Sequence, residues 1–99
     1  MDVKFKIFLI TTILNILDLV TSIIAFKLGF TELNKWMVIF HNSYVSATVA
    51  VVLFEVILVV WYILSRYIDQ AKYGMLVFGL TKLYPIINNI YLIIISFLA

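Results

Sequence analysis

The chain has no cysteine, one proline, three glycines and one histidine among 99 residues, and only 12% of it is charged. Without cysteine there are no disulfides, no thiol nucleophile and no thiolate metal site. A single histidine, His41, cannot assemble a histidine-based metal centre. There is no glycine-rich phosphate loop, no Ser–His–Asp set and no metal-ligand spacing. Neither a cofactor nor a metal is expected, and an enzyme is not expected. The formal charge of +2 is small and scattered, so no nucleic-acid partner is expected. The scarcity of charge carries the main message. At 66% hydrophobic and a mean hydropathy of +1.19, the chain has too few polar residues to cover a water-facing domain of this size. Membrane lipid is the expected surrounding.

Three runs are long enough to cross a bilayer, which takes about 20 mostly apolar residues. They cover about residues 5–28, 44–65 and 74–98. Backbone groups in lipid must bond within their own segment, so helices are expected. Residues 1–99 are thus read as one all-α integral membrane domain with three transmembrane helices. Lys4 and Lys6 resemble the start of a secretion signal. The apolar run that follows is too long, contains Asn15 and Asp18, and lacks a small-residue cleavage site, so an anchor is expected instead. Lys27 with Gly29 marks the end of the first helix. Asn42 and Ser43 can cap the second. "SRYIDQAKY", residues 65–73, reads as the turn between the second and third spans. Trp36, Trp61, Tyr62, Tyr67 and Tyr73 fall near the expected interfaces, where amphipathic aromatics settle.

Basic residues orient the spans. Lys4, Lys6, Arg66 and Lys72 fall on one side, and Lys27 and Lys35 on the other. The positive-inside rule then places the N-terminus in the cytoplasm and the C-terminus outside. Between spans one and two, Trp36–Phe40 is apolar but too short to cross. A short interfacial helix capped by Asn34 is expected there.

The polar residues inside the spans are few and spaced. Thr11, Asn15, Asp18, Ser22, Ala25 and Gly29 recur by four and three, which is one stripe of a helix. Leu9, Ile13, Ile16, Val20, Ile23 and Ile24 occupy the other faces. In the second span Thr48, Glu55 and Tyr62 are seven apart. In the third, Met75, Lys82, Asn89 and Ser96 are seven apart, with Asn88 adjacent. Pro85 leaves the Thr81 carbonyl without its helical donor and predicts a bend. Asp18 and Glu55 lie near the middles of their spans, and Lys82 lies about four residues, roughly 6 Å, from the middle of its own. A mid-bilayer charge costs about 2.5–3.5 kcal/mol even on lenient scales. A single buried cluster of Asn15, Asp18, Ser22, Glu55, Lys82, Asn88 and Asn89 is therefore expected. With two acids and one base it is one positive charge short. A proton, a cation or a basic group of another subunit would supply the balance.

"LDLVTSIIAFKLGFTELNKWM" resembles a family of small prokaryotic membrane proteins of unknown activity. Their first span carries Asp and Thr, followed by Gly and then Glu-x-Asn-Pro. The matching residues are Asp18, Thr21, Gly29, Glu32 and Asn34, with Lys35 in place of the proline. Asn88 and Asn89 match a second shared feature. The resemblance covers about a quarter of the chain. It implies a fold and a polar site near one end of the first span. From the residues themselves, Thr31, Glu32 and Asn34, after the helix stop at Gly29, are expected to close a tight re-entry to the membrane. Proline after Asn would preset the first helical turn; Lys35 keeps the cap without that preset.

Two functions fit these residues. The first is a structural or accessory subunit of a larger membrane or lipid-containing assembly. Such a subunit would pack through polar helix faces against other membrane subunits or copies of itself. The alternative is an oligomeric proton or cation channel or transporter that uses the mid-membrane carboxylates.

Overall fold

The computed structural model describes residues 2–28 and 43–98. Four helices form in these segments: α1 (Val3–Lys27), α2 (Ser43–Tyr67), α3 (Ala71–Leu80) and α4 (Leu83–Leu98). No strand occurs among the described residues. α1, α2 and the α3–α4 pair are each long and apolar enough to cross a membrane. The described residues form an all-helical bundle, consistent with a multi-pass membrane protein. The expected re-entry of Gly29, Thr31, Glu32 and Asn34, and the interfacial helix with Trp36, lie outside the described residues. The described fold thus holds the three spans and no interfacial helix.

The spans run past the expected boundaries. α1 begins at Val3 because the Asp2 side chain accepts from the Lys4 backbone N–H at 3.3 Å and caps the first turn. Lys4 and Lys6 then belong to the helix, with apolar stems long enough to carry their charges outward. α2 continues to Tyr67 and α3 starts at Ala71, so the nine-residue turn expected over residues 65–73 shrinks to Ile68–Gln70. Ser65 does not face water. It is fully buried, and its hydroxyl donates to the Tyr62 carbonyl at 2.6 Å.

The third span breaks at Thr81–Lys82. There the backbone changes to shorter bonds, Thr81 N–H to Phe78 O at 3.3 Å and Lys82 N–H to Gly79 O at 3.1 Å. Pro85 thereby becomes the third residue of α4. In that first turn a backbone N–H has no helical partner to lose. The bend expected from Pro85 is therefore a division into two helices, located one turn before the proline.

α1 is the axis of the bundle and packs against α2, α3 and α4, while α2 also packs on α3. The buried residues of α1 are Thr11, Asn15, Asp18, Ser22 and Ala25, which is the stripe that the spacing predicts. Leu9, Ile13, Ile16, Val20 and Ile24 are exposed, so the apolar side faces out. On α2 the inward residues are Ser46, Ala47, Leu58 and Ser65, with Glu55 half-buried beside them. Thr48 is exposed and donates to the Tyr44 carbonyl at 2.9 Å, so it does not share the inward face.

Two glycines set the closest approaches, as small residues do between membrane helices. A Cβ at Gly79 would lie 2.5 Å from the Thr11 Cβ. One at Gly74 would lie 2.6 Å from the Trp61 ring. Phe54 and Phe78 stack at 4.2 Å where α2 meets α3.

Candidate functional site

The polar interior divides into two seams, both anchored on α1. The first joins α1 to the break in the third span. Lys82 stands between α3 and α4, and its Nζ lies 2.5 Å from Asp18 Oδ2. Both residues are under a tenth exposed. The ammonium also lies 4.4 Å from the centre of the Phe54 ring, close enough for a cation–π contact. Further along, Asn89 donates to the hydroxyls of Thr21 at 3.0 Å and Ser22 at 2.9 Å. The Ser22 hydroxyl is in turn 3.5 Å from Asp18 Oδ1. This seam holds one positive and one negative charge.

The second seam joins α1 to α2. Thr12 donates to Glu55 Oε1 at 2.7 Å. The Asn15 amide nitrogen donates to Glu55 Oε2 at 3.1 Å and to the Val51 carbonyl at 2.9 Å. Asn15 is 1% exposed, and its Oδ1 has no hydrogen-bond partner. Among the described residues, no ion pair reaches Glu55.

The three charges expected in one cluster thus separate. Lys82 is taken by Asp18, and Glu55 is held by neutral donors. The cause is the register along α1. Asn15 and Asp18 are three residues apart, about 4.5 Å along the axis at 1.5 Å per residue. The first looks toward α2 and the second toward the break. Asn89 joins the Asp18 seam as expected. Asn88 does not; its side chain is half-buried and makes no hydrogen bond among the described residues.

Sequence reasoning missed Thr12, which lies one position off the inward stripe and still reaches Glu55. It also missed Phe54, whose ring face meets Lys82. An aromatic one residue before a mid-span acid is ordinary in an apolar run, so no sequence signal marks it.

At the Lys4 end of the bundle, Asp69 lies 3.4 Å from Lys4 and 3.2 Å from Lys72. The hydrogen bond from Lys72, then that from Lys4, holds the exposed Asp69 carboxyl below its usual range. Of the expected interfacial aromatics, Tyr67 and Tyr73 are exposed. Trp61 lies against Gly74, and Tyr62 packs on Phe8 at 4.9 Å and Phe5 at 6.3 Å. Trp36 lies outside the described residues. Among the described residues, no group of three or more acidic or histidine side chains is placed to hold a metal ion.

No family model matches the chain, and no curated protein or solved structure is significantly similar to it. The family resemblance rests on Asp18, Thr21, Gly29, Glu32, Asn34, Asn88 and Asn89 alone.

Proposed function

We propose that the protein is a structural or accessory subunit of a larger membrane assembly, docking through α4 to other membrane subunits or to copies of itself. The observation that carries this reading is Asn88. An amide within a spanning helix does best with a partner on a neighbouring helix, and Asn88 makes no hydrogen bond within the described bundle. It sits between Tyr84 and Tyr91, four before and three after it, both strongly exposed. That spacing makes one face of α4, with an amide at its centre and an aromatic on either side. Mild solubilisation followed by mass measurement tests this. An oligomer or co-purifying partner that is lost in Asn88→Leu supports docking, and a clean monomer of the unaltered chain sinks it.

In this reading the N-terminus is cytoplasmic and the C-terminus outside, because Lys4, Lys6, Arg66 and Lys72 gather at one end. Cysteines introduced at positions 2 and 99 should label from outside only at 99. Labelling at 2 alone reverses the orientation.

A second reading is favoured by Glu55, an acid inside a span with no basic partner among the described residues. In an oligomer it would pass protons or cations. Asp18, paired with Lys82, drops out of that pathway. Flux into vesicles that survives Glu55→Gln unchanged would remove this reading.

A further inference from the structure

We propose that α4 pairs with α4 of a second copy of this chain, parallel and in register, with Asn88 hydrogen-bonded to Asn88 across a twofold axis along the membrane normal. The pairing rests on the reading of α4 as the docking helix, and it names the partner. Tyr84, Asn88, Tyr91, Ile95 and Leu98 recur by four and three along α4. That is the a/d spacing by which two helices pack along one line, with Asn88 and Ile95 at a and Tyr84, Tyr91 and Leu98 at d. Tyr84 and Leu98 are 82% exposed, Tyr91 61% and Ile95 38%.

This row lies on the far side of α4 from α1. Lys82, Ile86 and Asn89 come two residues before Tyr84, Asn88 and Tyr91, a rotation of about 200°. Lys82 and Ile86 are buried, and Asn89 donates to Thr21 and Ser22 of α1. The adjacent asparagines thus serve different sides. Asn89 closes the bundle, and Asn88 is left for a helix outside it.

Three features favour a copy of the same chain over another protein. First, α4 has no charged side chain. Charges beside the packing line are what select an unlike helix, and α4 offers none. Second, the one selecting group left on the row is an amide, and an amide is its own complement. Its N–H donates where an identical carbonyl accepts, and such bonds join helices in lipid. Third, a single asparagine at an a position fixes the register of a helix pair, and isoleucine at a with leucine at d favours two parallel strands. Ile95 and Leu98 supply that combination. Copies inserted in one direction present these rows to each other with α4 parallel to α4. Each residue then meets its own counterpart, and the assembly closes at two.

The absence of cysteine gives a direct test. A single cysteine placed in the purified full chain can form a disulfide only with the same position of another copy. On mild oxidation in lipid vesicles, Tyr84→Cys, Tyr91→Cys and Ile95→Cys should give disulfide dimers. Ile90→Cys and Phe97→Cys are exposed but off the row. They should give about tenfold less, because a disulfide needs its two Cα atoms within about 7 Å. Adding Asn88→Leu should lower the Tyr91→Cys dimer to that same level. Equal cross-linking on and off the row would mean random collision and would overturn the pairing. Cross-linking on the row that is unchanged by Asn88→Leu would overturn it too. So would no cross-linking on the row by variants that melt as the unaltered chain does. In that last case the complex in native membranes separates the two ideas. If a complex is present there and is lost in Asn88→Leu, docking through α4 stands with a different subunit as partner. If the chain is a monomer there as well, both fail.

Discussion

The two seams of α1 solve the same problem in different ways. Toward the break in the third span, Asp18 meets a full opposite charge and the contact is ionic. Toward α2, Glu55 meets only a hydroxyl and an amide. The first seam is electrically closed. The second binds both Glu55 oxygens but leaves Asn15 Oδ1 without a donor and gives Glu55 no cationic partner among the described residues. A buried pair is costly to break because the survivor is left uncompensated. A carboxyl held by neutral donors loses less when one donor is removed. The lesson is that charge-bearing residues at similar depth need not form one site. Which neighbour each meets is decided by a rotation of about 100° per residue on the shared helix.

The largest expected effect separates the seams directly. Lys82→Met should destabilise the bundle by about 3–5 kcal/mol, because it leaves Asp18 buried without its partner. Adding Asp18→Asn should restore part of the loss. Adding Glu55→Gln should not, and thermal unfolding of the three variants in one detergent reads the difference. If Glu55→Gln rescues as well as Asp18→Asn, the seams are one site after all.

A smaller loss is expected at the α1–α3 crossing. Gly79→Ala places a methyl against Thr11 and should cost about 1–3 kcal/mol through overpacking. The same exchange at Gly74 meets the Trp61 ring, a side chain that can turn, so it should cost less in the same melt. Equal costs at the two glycines would mean that α1 and α3 yield as easily as an indole does.

Thr12→Val removes one donor from Glu55 and keeps the shape. The loss should be about 0.6 kcal/mol, the average for hydrogen bonds between membrane helices. A loss as large as that of Lys82→Met would show that Glu55 depends on Thr12 as Asp18 does on Lys82, and would erase the contrast.

The smallest effect lies at the Lys4 end. The Asp69 carboxyl is held below its usual range by Lys72 and Lys4. Its contribution is therefore present above the ordinary carboxylate range and is lost as pH falls through the lowered value. Both groups are near water, so salt should weaken the contribution further. In acid melts Asp69→Asn should flatten this part of the pH dependence. An unchanged acid profile would remove Asp69 from it.

The spans and the inward stripe of α1 were legible because they follow from period and length. Thr11, Asn15, Asp18, Ser22 and Ala25 lie where a repeat of 3.6 places them. The partners across helices were not legible. Nothing in the spacing says whether Lys82 turns to Asp18 or Glu55, since that depends on how each helix is rotated about its own axis. Thr48 shows the limit of a seven-residue repeat: it matches Glu55 in spacing and still points outward. Ser65 was read as a turn residue because serine is common in turns. In a membrane bundle it instead bonds to the preceding helical turn and is buried.

The break at Thr81–Lys82 also changes the electric field along the third span. An unbroken helix has its partial charges only at its two ends, near the membrane surfaces. Ending α3 at Leu80 and starting α4 at Leu83 creates a negative pole and a positive pole inside the span. Each pole attracts an opposite charge by about 0.3–1 kcal/mol. Lys82 stands at both poles, just past the C-terminus of α3 and just before the N-terminus of α4, where its backbone carbonyl accepts from the Ile86 N–H at 3.2 Å. Both poles thus fall at the residue that holds Asp18. A continuous helix through these residues would take away both poles and return the partial charges of the third span to its two ends.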